Sequence, residues 1–157
     1  MTKKIKNLPT TDSYMDFLKT VKFMGLGLDS SSTNVNRVAL ASARSAGQTI
    51  ETSFGVEYTI LNQSSDNFVI GASFTIKRQV EGATEPVVAI SASYSALFGS
   101  DKEILHENVQ RFSQRESKLI FWPYLRFLIT DISARMSIDQ IVLPLTSEFE
   151  TKQVAAK

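Results

Sequence analysis

Three stretches of strict alternation constrain this chain more than any other feature. Phe54, Val56, Tyr58 and Ile60 alternate with Gly55, Glu57 and Thr59. Phe68, Ile70, Ala72, Phe74 and Ile76 alternate with Val69, Gly71, Ser73, Thr75 and Lys77. Val88, Ile90, Ala92, Tyr94, Ala96 and Phe98 form the third run. Side chains of a strand point to opposite faces with period two, so each run reads as a strand with one apolar face. Polar turns at 62–67 and 81–86 join them, which predicts an antiparallel meander. The opposite face is small and polar, so the sheet needs a cover on one side only.

The rest of the chain supplies that cover. Asp12 or Ser13 is placed to cap a short helix carrying Tyr14, Phe17, Leu18 and Val21. Met24, Leu26 and Leu28, alternating with Gly25, Gly27 and Asp29, read as a further strand. Ser30 to Asn34 is a loop by composition. Val35–Ala46, rich in Ala and Ser, fits a strand, a short helix or a mobile excursion, and the residues do not choose between them. Asp101 is placed to cap a helix bearing Ile104, Leu105, Val109 and Phe112. A longer helix over 120–136 carries Leu125, Leu128, Ile129, Ile132 and Met136 on one stripe, with Pro123 near its start, where a missing N–H costs little. Arg126, Thr130 and Ser133 take its other side, and Asp131 and Arg135 pair across one turn. In this reading Tyr124 and Leu128 face the sheet and Phe121 or Trp122 points elsewhere. Ile141, Val142 and Leu143 read as a short last strand ending at Pro144. The expected organisation is a disordered start at 1–11, one domain at 12–145 and a flexible tail at 146–157. A domain of this size buries about 70% of its unfolded surface and needs no covalent staple.

Composition removes several functions. The chain has no cysteine among its 157 residues, hence no disulfide, thiolate metal site or Cys nucleophile. It has one histidine, His106, with no Cys or paired carboxylates beside it, a poor basis for a metal site or a triad. Gly25-Leu26-Gly27 lacks the third glycine of a dinucleotide loop, since position 30 is serine. Asp101, Glu103, Glu107 and Glu116 are interleaved with basic residues, the pattern of a solvated helical face. Asn62-Gln63-Ser64 fits a glycosylation sequon, which is idle in a cytosolic protein. Net charge is +1 and lacks the clustered Lys/Arg of a nucleic-acid footprint; Lys3, Lys4 and Lys6 read as a solvated terminus. No segment approaches the roughly 20 apolar residues of a membrane span. The expectation is a cytoplasmic protein that catalyses nothing, needs no cofactor or metal, binds no nucleic acid and inserts in no membrane.

What stands out is Phe121-Trp122-Pro123-Tyr124-Leu125-Arg126, which heads the long helix with three aromatics pointing in different directions. Followed by Ile132-Ser133-Ala134-Arg135-Met136 and Gln140-Ile141-Val142-Leu143-Pro144, it resembles the C-terminal half of SecB-type chaperones. In that family a Phe/Trp-Pro-Tyr-x-Arg element opens the long helix, a Ser/Ala-Arg pair closes it and a Leu-rich strand with a terminal Pro follows. The resemblance covers residues 15–145 and is specific over 119–145.

The resemblance implies an α+β fold, a four-stranded antiparallel sheet with helices packed on one face. It implies assembly into a homotetramer, a dimer of dimers, with hydrophobic grooves that hold unfolded chains without ATP. Apolar groups near sheet edges and the helical cover are the candidate client contacts: Phe74, Ile76, Leu97, Phe98, Phe112, Phe121 and Trp122. Two departures bear on the client. Family members serving the export ATPase are strongly acidic, and many end in a zinc-binding Cys/His tail. This chain is near neutral, and 148–157 contains neither residue. Both departures count against docking on the export ATPase and lean toward the solitary SecB-like chaperones that protect an unstable antitoxin in toxin–antitoxin systems, with preproteins as the alternative client. A second expectation from another class is a small adaptor of a phage or mobile element that binds one folded partner.

Overall fold

The computed structural model describes residues 11–143. Of the expected disordered start at 1–11, residues 1–10 lie outside the described residues, as do Pro144 and the tail at 146–157, whereas Thr11 opens the first helix. The elements, in chain order, are α1 (Thr11–Thr20), β1 (Val21–Val35), α2 (Arg37–Ser45), β2 (Ile50–Gln63), β3 (Asn67–Val80), β4 (Pro86–Ser100), α3 (His106–Arg115) and α4 (Ser117–Arg135). The strands form one antiparallel sheet in the order β1-β4-β3-β2. The three alternating runs are β2, β3 and β4, and they pair as a meander. β1 returns to the far side of β4, so β1 and β2 are the two edges.

Register explains which face is buried. Phe68 lies opposite Phe98, Ile70 opposite Ala96, Phe74 opposite Ala92 and Ile76 opposite Ile90, and all eight are buried. Phe68 stacks on Phe98 at 5.0 Å, and Phe112 of α3 meets both edge-on at 5.2 and 4.9 Å. Phe17 of α1 closes the cluster against Phe68 and Phe112. Such pairs add about 0.5–1.5 kcal/mol each beyond the area they bury. α3 packs on β2, α4 on β3 and α2 against β4. On the outer face, a register irregularity between Ile60 and Asn62 lets Leu61 fold over Gly71, where a Cβ would sit 2.9 Å from the leucine side chain.

Several local expectations are corrected. The serine segment is the second half of β1 rather than a loop. Ser30, Ser31 and Ser32 lie opposite Ser93, Ala92 and Ser91, and Ser30 Oγ meets Ser93 Oγ at 2.7 Å. A neighbouring strand of small residues supplies the ladder that local propensity does not. Of the three options left open after Val35, the chain takes a helix, because the Asn36 side chain accepts from the Ala39 N–H and caps it. Asp12 and Ser13 lie inside α1 rather than before it. α3 starts at His106 with no side-chain cap, not at Asp101. α4 begins at Ser117, so Pro123 lies inside the helix rather than in its first turn. Ser133 is buried, not on the polar side. Residues 141–143 form no strand, although Ile141 and Leu143 are buried. The Asp131–Arg135 pair forms at 2.8 Å.

Candidate functional site

The helices cover the sheet unevenly. Their packing falls on β2, β3 and β4 and leaves the apolar side of edge strand β1 largely open. Phe23 lies opposite Phe98 and its ring sits 5.8 Å from it, on the helix side of the sheet, yet Phe23 remains 52% exposed. Leu28 lies opposite Tyr94 and is also exposed. Tyr94 is buried at the floor, where burial raises its hydroxyl pKa. Its ring meets Tyr124 of α4 at 6.5 Å. Together Phe23, Leu26, Leu28 and Tyr94 floor an apolar strip, and Tyr124 walls it.

α4 itself is apolar around most of its circumference. Phe121, Trp122, Leu125 and Ile129 are buried under it. Leu119, Pro123 and Phe127, four residues apart and so on one stripe, are exposed, Phe127 to 78%. A helix with apolar residues on both sides has a second face to cover. The strip and this stripe are exposed apolar surface of the sort that marks binding sites rather than ordinary exterior. Beside it β1 presents an edge that no strand among the described residues pairs, long and free of proline, of the kind that accepts another strand.

The seven candidate contacts fall out differently from one another. Phe74, Ile76, Phe98, Phe112, Phe121 and Trp122 are all in the core of the protomer, less than 5% exposed. They build the sheet–helix interface, and the chain on its own leaves them almost no accessible surface. Leu97 is exposed, but it lies opposite Val69 and Gly25 on the outer face, away from the strip. The direction expected for the aromatic head is met only in part: Phe121 and Trp122 turn inward rather than elsewhere, while Tyr124, half exposed, keeps its ring against Tyr94 of the sheet and Leu128 packs on the core. The exposed groups that sequence reasoning passed over are Phe23 and Phe127. Phe127 carried a signal, an aromatic between Arg126 and Thr130 on the side read as polar.

Among the described residues, no three His, Cys, Asp or Glu side chains stand where they could hold a metal ion. No helix among them is long and apolar enough to cross a membrane. His106 Nδ1 lies 2.9 Å from Gln63 Oε1 at the surface, a pairing that ties α3 to the end of β2. A cleft of about 670 Å³ between α2 and the β3–β4 turn has only Glu81 and Glu85 as ionisable lining groups.

An antiparallel sheet of order β1-β4-β3-β2, backed on one face by a long helix headed by aromatics, is the SecB-like fold. The fold is shared with a SecB-like chaperone of Mycobacterium tuberculosis solved in complex with a ChAD peptide from the HigA1 antitoxin. The TM-score is 0.68 at 15% identity, over 83% of this chain and 94% of that one. A Streptococcus agalactiae protein is similar over 79% of this chain and 96% of its own, at 16% identity and a TM-score of 0.45. No family model matches the chain, and no curated protein matches it.

Proposed function

We propose that this protein is an ATP-independent holdase that binds unfolded polypeptide as a homotetramer, a dimer of dimers. The observation that carries the reading is the double-sided apolarity of α4 beside the uncovered face of β1. A lone protomer would leave Phe23, Leu28, Leu119, Tyr124 and Phe127 in water, an arrangement that favours association with sister subunits and with extended clients. An unfolded client offers apolar side chains and unpaired backbone groups, which an open apolar strip with a free strand edge can take together. Several shallow sites on one assembly add by avidity. The antitoxin-bound state of the similarly folded chaperone, with the near-neutral charge here, supports an unstable antitoxin as the client rather than a preprotein.

The test combines mass and activity. Light scattering after size exclusion should give close to four times 17.4 kDa, and the purified protein should suppress aggregation of a denatured client without nucleotide. A monomer at micromolar concentration that leaves aggregation unchanged overturns the proposal. An adaptor for a folded partner would ignore an unfolded peptide in competition.

A further inference from the structure

Beyond α4 the chain turns at Ser137, whose φ of 51° is a left-handed conformation that non-glycine residues avoid. It then runs without regular structure across the end of the sheet. Ile138, Ile141 and Leu143 are buried beneath it. Among the described residues, the segment's own main chain makes few hydrogen bonds. Ser137 N–H donates to the Ala134 carbonyl and Ile138 N–H to that of Ser133, while Ile141 N–H reaches Ser133 Oγ at 3.5 Å.

Beyond those buried side chains, arginines from distant elements hold it. Arg37, at the start of α2, donates to the Met136 carbonyl at 2.9 Å. Arg44, at its end, donates to Asp139 Oδ2 at 2.6 Å. Arg78 of β3 donates to the Asp139 carbonyl at 3.4 Å, with its guanidinium 3.9 Å from the same carboxylate. Two cations therefore share one carboxylate, and α2, β3 and the segment after α4 meet there. Without the Asp139 charge, Arg44 and Arg78 would repel each other across the gap. The Arg78 Nε is buried without a partner. Opening would return it to water, which lowers the cost of release.

We propose that residues 136–143 form an ion-latched strap. Asp139 is its catch, and release bares Ile138, Ile141 and Leu143, so that ionic strength sets how much apolar surface this end of the molecule offers. The inference stands on this network alone and is independent of the holdase reading. Exposed ion pairs are weak and salt-screened, so the pairs on Asp139 are the part of this segment's anchorage that responds to ionic strength.

Amide hydrogen exchange by mass spectrometry on the full chain tests it. Asp139→Asn should speed exchange over 138–143 by about fivefold, the scale of one good surface pair, with β3 and β4 unchanged. Raising salt should speed the same amides in the wild type and leave the variant flat. Binding of an apolar dye should rise in parallel. Asp131→Asn, which breaks a pair of similar exposure on α4, should do none of this. Arg44→Gln should reproduce the effect if the Asp139 variant folds poorly. Exchange over 138–143 that ignores both substitution and salt, or acceleration spread evenly through the sheet, overturns the latch.

Discussion

Phe127→Arg separates surface that is merely exposed from surface that assembles. Phe127 is 78% exposed in the protomer. A buried phenylalanine ring and its stem remove roughly 200 Å² from water, so about 150 Å² remains available for an interface. At ~25 cal/mol per Å² that surface is worth up to ~4 kcal/mol per subunit. An arginine in its place forfeits this and brings a charge that needs solvation. Since ~1.4 kcal/mol is a factor of ten, assembly should weaken by roughly a hundredfold to a thousandfold. In the protomer the same change costs within about 0.5 kcal/mol, because the ring is mostly exposed and arginine is a good helix former. Light scattering over a dilution series should show the variant dissociating at concentrations where the wild type stays assembled. Far-UV circular dichroism should remain that of the folded sheet and helices. A variant that holds the wild-type mass and still suppresses aggregation would refute the claim that this stripe needs a partner. Loss of the folded spectrum would refute the claim that it is free in the protomer.

Three further outcomes are expected. Trp122→Ala removes a side chain that is 4% exposed and should cost about 3–5 kcal/mol in chemical denaturation, as a large core cavity does; a loss below about 0.5 kcal/mol, the size of a surface change, would remove it from the core. Asn36→Ala deletes the α2 cap bond at 3.0 Å and should cost about 1 kcal/mol, visible as faster exchange over 37–45. In alkali, burial holds the Tyr58 hydroxyl pKa up to about 12, and burial with Glu116 beside it does the same for Tyr14. Both keep their protons in the folded state while the unfolded chain releases them near 10. This contribution is complete below pH 10 and is lost as pH climbs from there to 12, so thermal melts should fall over that window and Tyr58→Phe should flatten the fall.

The sheet was legible because its information is local. Alternation in β2, β3 and β4 survives in any context where one face is buried, and the turns between them carry their own polar signals. The element types of α1, α3 and α4 were legible for the same reason, through spacing of three and four. Their starts were not, since a cap is one residue among several with similar chemistry. Leu105 opens α3 without any side-chain cap bond, and Pro123 is accommodated inside α4.

The sequence determined, then, that this chain makes a one-sided antiparallel sheet with an aromatic-headed helix across it, and that it offers no cysteine, histidine pair or phosphate loop for chemistry. Tertiary structure alone decided where the open surface falls. Ser30–Ser32 became strand because β4 places Ser91–Ser93 opposite. Phe23 and Phe127 are exposed while Phe121 and Trp122 are sealed, though all four are aromatics near an element boundary or on one helix. Periodicity states that a helix has two sides, but the number of neighbours that reach each side depends on strand order. β1 pairs with β4, at the edge the helices leave open, and that is a contact between residues some 53 to 79 positions apart in the chain.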